Sequence, residues 1–216
     1  MLQYKNSNSY FHNIVGIARY FFNDSNKNRY GKEKFMPQLK TENYTTDYIY
    51  SLPEGQRAEL IDGVIYNMAP PNFIHQYLSS KFVSKIDQYI DSKKGDCIVI
   101  SAPFAVFLKE DNKTYVEPDI SVICDKNKLT EKGCIGVPDF IIEIVSPSSR
   151  KIDYSTKNAL YAESGVREYW IVDPAKERTT VYRYEEDVAP IIIPFNQPVV
   201  VGIYGDFSIN ISELLK

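Results

Sequence analysis

The chain has 216 residues, 28 acidic against 25 basic side chains and a net charge of −3. Its 44% hydrophobic and 25% charged content is that of a globular protein with one sizeable core. It has no apolar run near the roughly 20 residues of a membrane span. The net charge gives no global attraction to nucleic acid, so any such binding needs a local basic surface.

Residues 1–35 are rich in Asn, Lys, Tyr and Ser, with a weak apolar patch from Ile14 to Phe22. They read as an N-terminal extension, disordered or mis-annotated, with Met36-Pro37 as the expected start of the domain over 36–216. The short run Ile14–Ala18 is followed by Arg19 and lacks the charge order and cleavage site of a signal peptide. The expected location is the cytoplasm, with no membrane partner.

Thr45-Thr46-Asp47 caps an expected short helix through Leu52, and a second helical turn is expected over Gln56 to Ile61. Asp62-Gly63 is a turn signal ahead of a strand over Val64–Met68. Asn72 caps the longest helix, Phe73 to Ser92, with Phe73, Tyr77, Leu78, Phe82, Ile86, Tyr89 and Ile90 at helical spacing. Gly95 closes it. Strands follow over Cys97–Ser101 and Phe104–Leu108, a turn at Asp111-Asn112-Lys113, and further strands over Tyr115–Cys124 and Phe140–Ser146. Asp153 caps a helix to Ser164, with Gly165 at its left-handed exit. Glu168–Val172 and Thr179–Tyr184 form a hairpin across Asp173-Pro174. Val199 to Ile209 adds strands, and Ile211 to Leu215 a helical turn. This order predicts an α/β (α+β) fold with a mixed central sheet flanked by helices. Three cysteines without a close pair point to free thiols rather than a disulfide or a zinc site.

The chemistry concentrates between Val116 and Trp170. In Phe140-Ile141-Ile142-Glu143-Ile144-Val145 a single carboxylate interrupts an apolar run of the kind buried on both sheet faces. A buried carboxylate needs a cation or a metal, and a salt bridge to a buried Lys or Arg satisfies it as well as a function does. Val116 to Ile123 repeats the pattern with Asp119, and Glu117, Asp119 and Ser121 share a strand face. Two such acids on neighbouring strands offer oxygen ligands to one Mg²⁺ or Mn²⁺. Glu117, at the strand start, reads as a solvated charge. On the following helix Asp153, Lys157 and Tyr161 share a face, so Lys157 can reach back over the acids. Arg150 and Lys151 read as phosphate or solvent contacts. The Tyr169–Val172 strand reads as core, and no aromatic stripe for base stacking stands out.

Glu59-Leu60-Ile61-Asp62-Gly63, His75-Gln76, Pro118-Asp119, Gly136-Val137-Pro138-Asp139, Glu143 to Ser148 and Gly165 to Pro174 together resemble the Uma2 family (DUF820). This family is described as restriction endonucleases, a branch of the PD-(D/E)XK nuclease superfamily. The resemblance spans about residues 40–190. It implies a restriction-endonuclease-like fold and a Mg²⁺- or Mn²⁺-dependent endonuclease acting on DNA. Asp119 matches the first metal-binding acid and Glu143 the second, with the Ile144 carbonyl as a further ligand. Val145 stands where the superfamily carries its lysine, and Lys157 matches a lysine displaced onto the next helix. Glu59 matches an acid from the superfamily's first helix, and His75 a family histidine that reads equally as a packed or capping residue. Cutting both strands of a duplex implies a homodimer. Val145 and the net charge keep open a nuclease-like module that binds DNA or protein without cutting, and a purely structural domain with buried ion pairs.

Overall fold

The computed structural model describes residues 43–186 and 188–216; the expectations for residues 1–35 and for Met36 lie outside them. Helix α1 (Thr46–Tyr50) opens the described region and is followed by strands β1 (Ala58–Ile61) and β2 (Val64–Asn67). The expected helical turn over Gln56–Ile61 is therefore wrong. Asp62 and Gly63 both take positive φ (49° and 80°), the turn whose twist suits a two-residue hairpin, and this pairs Ala58 with Asn67 through Ile61 with Val64. Leu60 also exchanges two backbone hydrogen bonds with Tyr115. Pairing on both edges outweighs the weak helical preference of a short segment.

Helix α2 runs over Phe73–Ser92 as expected, and the Asn72 side chain accepts from the His75 amide at 2.9 Å. At its end Lys94 takes the left-handed position (φ 53°). Gly95 donates to the Ile90 carbonyl at 2.9 Å and Lys94 to that of Asp91 at 3.0 Å, a Schellman closure one residue earlier than the glycine suggests. Then come β3 (Ile98–Ser101), β4 (Val106–Phe107), β5 (Ile120–Ile123), β6 (Leu129–Thr130), β7 (Gly133–Ile135) and β8 (Phe140–Ile144). The strand expected over Tyr115–Cys124 is broken. Tyr115 and Val116 make isolated bridges to Leu60 and Val106, and the strand proper starts only after Pro118, which has no amide to donate.

The helix after β8 begins a turn before Asp153. Ser146 and Ser149 exchange side-chain-to-amide hydrogen bonds at 3.0 and 3.1 Å, in the manner of a capping box. Asp153 thus lies inside a π-helical stretch, Ile152–Lys157, ahead of the α-helical part α3 (Asn158–Ser164). Gly165 exits at φ 88°, as expected. Strands β9 (Glu168–Asp173) and β10 (Arg178–Arg183) form the expected hairpin. They are followed by β11 (Ile191–Pro194), β12 (Pro198–Val201), β13 (Phe207–Asn210) and α4 (Ile211–Leu214); β11, an isoleucine run between two prolines, was not among the expected strands.

The main sheet is mixed, in the order β11-β10-β9-β8-β5-β3, with β8 and β9 parallel and the other neighbours antiparallel. Small two- and three-stranded sheets flank it, so the expected mixed sheet with helices and extra hairpins is present. In β8, Phe140, Ile142 and Ile144 pack with Leu78, Phe82, Ile86 and Ile90 of α2. Ile141, on the opposite face, packs with Leu160 and Tyr161 of α3. Alternation therefore puts Glu143 on the α3 face. Cys97 and Cys124 form a disulfide, which corrects the expectation of free thiols. Pairing of Ile98 with Ile123 sets these next residues opposite one another, although 27 positions separate them in the chain. Cys134 is free and buried.

The fully buried Phe82 meets Trp170 edge-on at 6.5 Å between ring centroids. Phe82→Ala should cost about 3–5 kcal/mol of stability. Urea denaturation with an unchanged m-value would register it; a loss below about 1 kcal/mol would contradict this packing.

Candidate active site

The β5–β8 register pairs Ile120 with Ile142 and Ser121 with Ile141. One step further, Asp119 stands opposite Glu143. The two interlock: the Ile144 amide donates to Asp119 Oδ2 at 2.7 Å, and the Asp119 amide to Glu143 Oε2 at 3.3 Å. Glu143 Oε1 accepts from Lys157 Nζ at 2.9 Å and from the Tyr161 hydroxyl at 2.7 Å. Lys157 also meets Glu59 Oε2 at 2.8 Å, and Glu59 Oε1 accepts the Glu117 amide at 2.9 Å. His75 Nε2 lies 3.0 Å from Asp119 Oδ2. Glu59, His75, Asp119, Glu143, Ile144 and Lys157 thus converge on one cleft of about 400 Å³. Glu59 reaches it from strand β1, whereas the resemblance had implied a helix.

Three neighbours differ from expectation. Glu117 is not solvated: it is buried, ion-paired with Arg57 and bonded to the Tyr115 hydroxyl at 2.6 Å. Arg57 lies 60 positions away, so no local pattern announced the pair. Arg150, expected at phosphate or solvent, is one-third exposed and already paired. It forks onto the fully buried Asp173, whose carboxylate needs that partner; Lys151 is exposed. Asp153, expected as a helix cap on the face shared with Lys157 and Tyr161, lines the cleft, with Oδ2 buried and unpartnered. Its place one turn before Lys157 was the available signal.

The cleft carries five carboxylates (Glu59, Glu117, Asp119, Glu143, Asp153) against Arg57 and Lys157. Burial pushes the Glu143 carboxyl well above its usual range, against the pull of Lys157. Burial likewise pushes Asp153 up to about 6, again against Lys157. For Lys157, burial favours the neutral amine, but Glu143, Glu59 and Asp153 outweigh it and hold the ammonium charged. For His75 burial also lowers the pKa, and the Asp119 hydrogen bond and charge, with Asp153 and the Ile144 backbone, turn the net shift upward.

Among the described residues no group of three or more His, Cys, Asp or Glu forms a ready metal cage. The donors at the Asp119–Glu143 pair are all oxygens: two carboxylates and the Ile144 carbonyl. A surplus of negative charge with hard oxygen donors fits a divalent cation such as Mg²⁺, which binds through one or two carboxylates and keeps its waters.

A crystal structure described as "a putative nuclease belonging to DUF820", from Anabaena variabilis, is similar to this chain at 26% identity and a TM-score of 0.62. The match covers 79% of this chain and 96% of that one. The uncharacterized protein slr1290 of a Synechocystis species is 25% identical over 152 residues, 70% of this chain and 77% of the relative. The fold is thus the restriction-endonuclease-like one. The Uma2 model, described as "Putative restriction endonuclease", matches residues 45–203, and the chain belongs to the Uma2 family.

Proposed function

We propose that the chain is a Mg²⁺- or Mn²⁺-dependent endonuclease that hydrolyses DNA phosphodiester bonds. The observation that carries this reading is the facing pair Asp119 and Glu143, backed by the buried Lys157, at the floor of an acidic cleft. Asp119, Glu143 and the Ile144 carbonyl would hold the cation. When bound, it supplies Lewis-acid stabilisation of phosphate charge and makes water more acidic.

The remaining work falls to the chain's own groups. Lys157 gives two of its three protons to Glu59 and Glu143. The third is free to orient a water or a phosphate oxygen. Because its ammonium is held charged, Lys157 acts as a donor and not as a base. Asp153 has a buried oxygen without a partner, and in the metal-free cleft burial pushes its carboxyl up to about 6, so it can take up a proton there. His75 steadies Asp119 through Oδ2. Cleavage of both strands calls for two such sites, hence a homodimer. Among the described residues no helix is long and apolar enough to cross a membrane, in keeping with a cytoplasmic enzyme. Val145, in place of the superfamily's lysine, favours a second reading: a module that binds DNA without cutting.

Asp119→Ala and Glu143→Ala should each abolish the heat of Mn²⁺ binding and lower plasmid cleavage more than about a hundred-fold. Wild-type cleavage by Asp119→Ala would remove the assignment; Mn²⁺ binding without any cleavage by the parent would favour the module.

A stability test separates function from a structural ion pair. Folding raises the Glu143 pKa, so ionisation costs stability as pH climbs past the ordinary carboxylate value of about 4. Without metal at neutral pH, Glu143→Gln should be as stable as the parent or more so, and the gain should vanish near pH 4. For Asp153→Asn the gain should develop between about pH 4 and pH 6. A purely structural pair predicts instead a loss of about 3–5 kcal/mol for Glu143→Gln. Thermal melts across pH distinguish the two.

A further inference from the structure

The face of α2 beside the cleft carries a feature that cleavage chemistry does not use. Asn72, His75, Gln76 and Ser79 line the cleft. Next to them, Phe73 and Tyr77 turn outward. Both fit the apolar pattern of the helix, yet Phe73 is 76% exposed, contrary to the core role its spacing suggested. Its ring stacks on Tyr77 at 5.7 Å between centroids and 23° between planes. Lys81 Nζ lies 5.2 Å from the centre of the Tyr77 ring, and Lys85 continues the same stripe one turn on. From Phe73 to Ile86 the helix carries no acidic residue. An aromatic pair with most of one ring open to water, followed by two lysines, therefore leaves the rim of the cleft.

We propose that this stripe is a docking site for single-stranded nucleic acid: an unpaired base stacks on Phe73 while Lys81 and Lys85 meet the backbone phosphates that follow. Every base has a π-face, so stacking on an exposed aromatic tolerates any sequence. An open aromatic face followed by two ammonium groups suits a strand that lays one base on the ring and its neighbouring phosphates along the lysines. A closed duplex buries those faces, so the stripe selects frayed, looped or single-stranded substrate and feeds it towards Asp119. The proposal rests on reading the cleft as a nuclease site, but its binding test does not require cleavage.

The test measures anisotropy of fluorescein-labelled oligothymidylate with the full chain in EDTA. The controls are an abasic oligonucleotide of equal length and a duplex. The parent should bind oligothymidylate about ten-fold or more tightly than the abasic strand, the scale of one stacked base. Phe73→Ala should lose that preference and keep the abasic affinity, and Phe73→Trp should retain the preference. Lys81→Ala with Lys85→Ala should weaken both strands and flatten the salt dependence. Phe73 is exposed, so its variants should keep the parent's circular dichroism. Equal binding of the thymidylate and abasic strands, or a Phe73→Ala variant that binds as the parent does, would overturn the proposal. So would sedimentation showing that Phe73 instead seats a second copy of the chain. Cleavage surviving in Asp119→Ala would end the reading of this cleft as the cleavage site but leave these affinities unchanged, so the two failures are separable.

Discussion

The arrangement hangs on one buried ammonium. Lys157 is 4% exposed and sits between Glu59 and Glu143, tying the β1 hairpin, the centre of the main sheet and the helix after β8 to one point. The stakes are high in both directions. Buried charges are costly to desolvate, and their attraction offsets that cost only with good geometry and full hydrogen bonding. Here one lysine faces Glu143, Glu59 and Asp153, so the interior remains short of positive charge. A domain that needed only stability would bury leucines in these places. Excess carboxylate beside an accessible cleft of about 400 Å³ is what the proposed cation would need.

The local backbone serves that point. Pro118 stops the strand pairing just before Asp119, which stands immediately ahead of β5 and lines the cleft. The π-helical stretch covers both Asp153 and Lys157, and such bulges gather at functional sites. The reciprocal Ser146–Ser149 cap starts that helix immediately after β8. A short connection from Glu143 thereby returns the chain over its own strand and brings Lys157 within 2.9 Å of Glu143.

The sequence made the centre legible and the periphery much less so. A lone carboxylate in an apolar strand is a conspicuous exception, and Glu143 and Asp119 were each visible that way. Lys157 was visible from helical spacing, because i to i+4 proximity is local. Local sequence was silent where distant pairing decided the outcome. Ala58–Ile61 became a strand through Val64–Asn67 and Tyr115; Glu117 and Arg150 found ion-pair partners far along the chain, Arg57 and Asp173; Cys97 and Cys124 met across β3 and β5. Phe73 erred in another way: its spacing matched the core stripe, but it lies in the first turn of α2, beyond the sheet that covers Leu78 and Phe82. Periodicity assigns a face but not how far the covering layer extends.

The most direct test of the central claim is the anomalous signal of Mn²⁺ in crystals of the parent protein. One ion should appear, with carboxylate oxygens of Asp119 and Glu143 and the Ile144 carbonyl at about 2.1 Å, a metal–oxygen distance typical of a small hard cation. Lys157 should still hold Glu59 and Glu143. An ion bound elsewhere, or no ion in the cleft at saturating Mn²⁺, would contradict it.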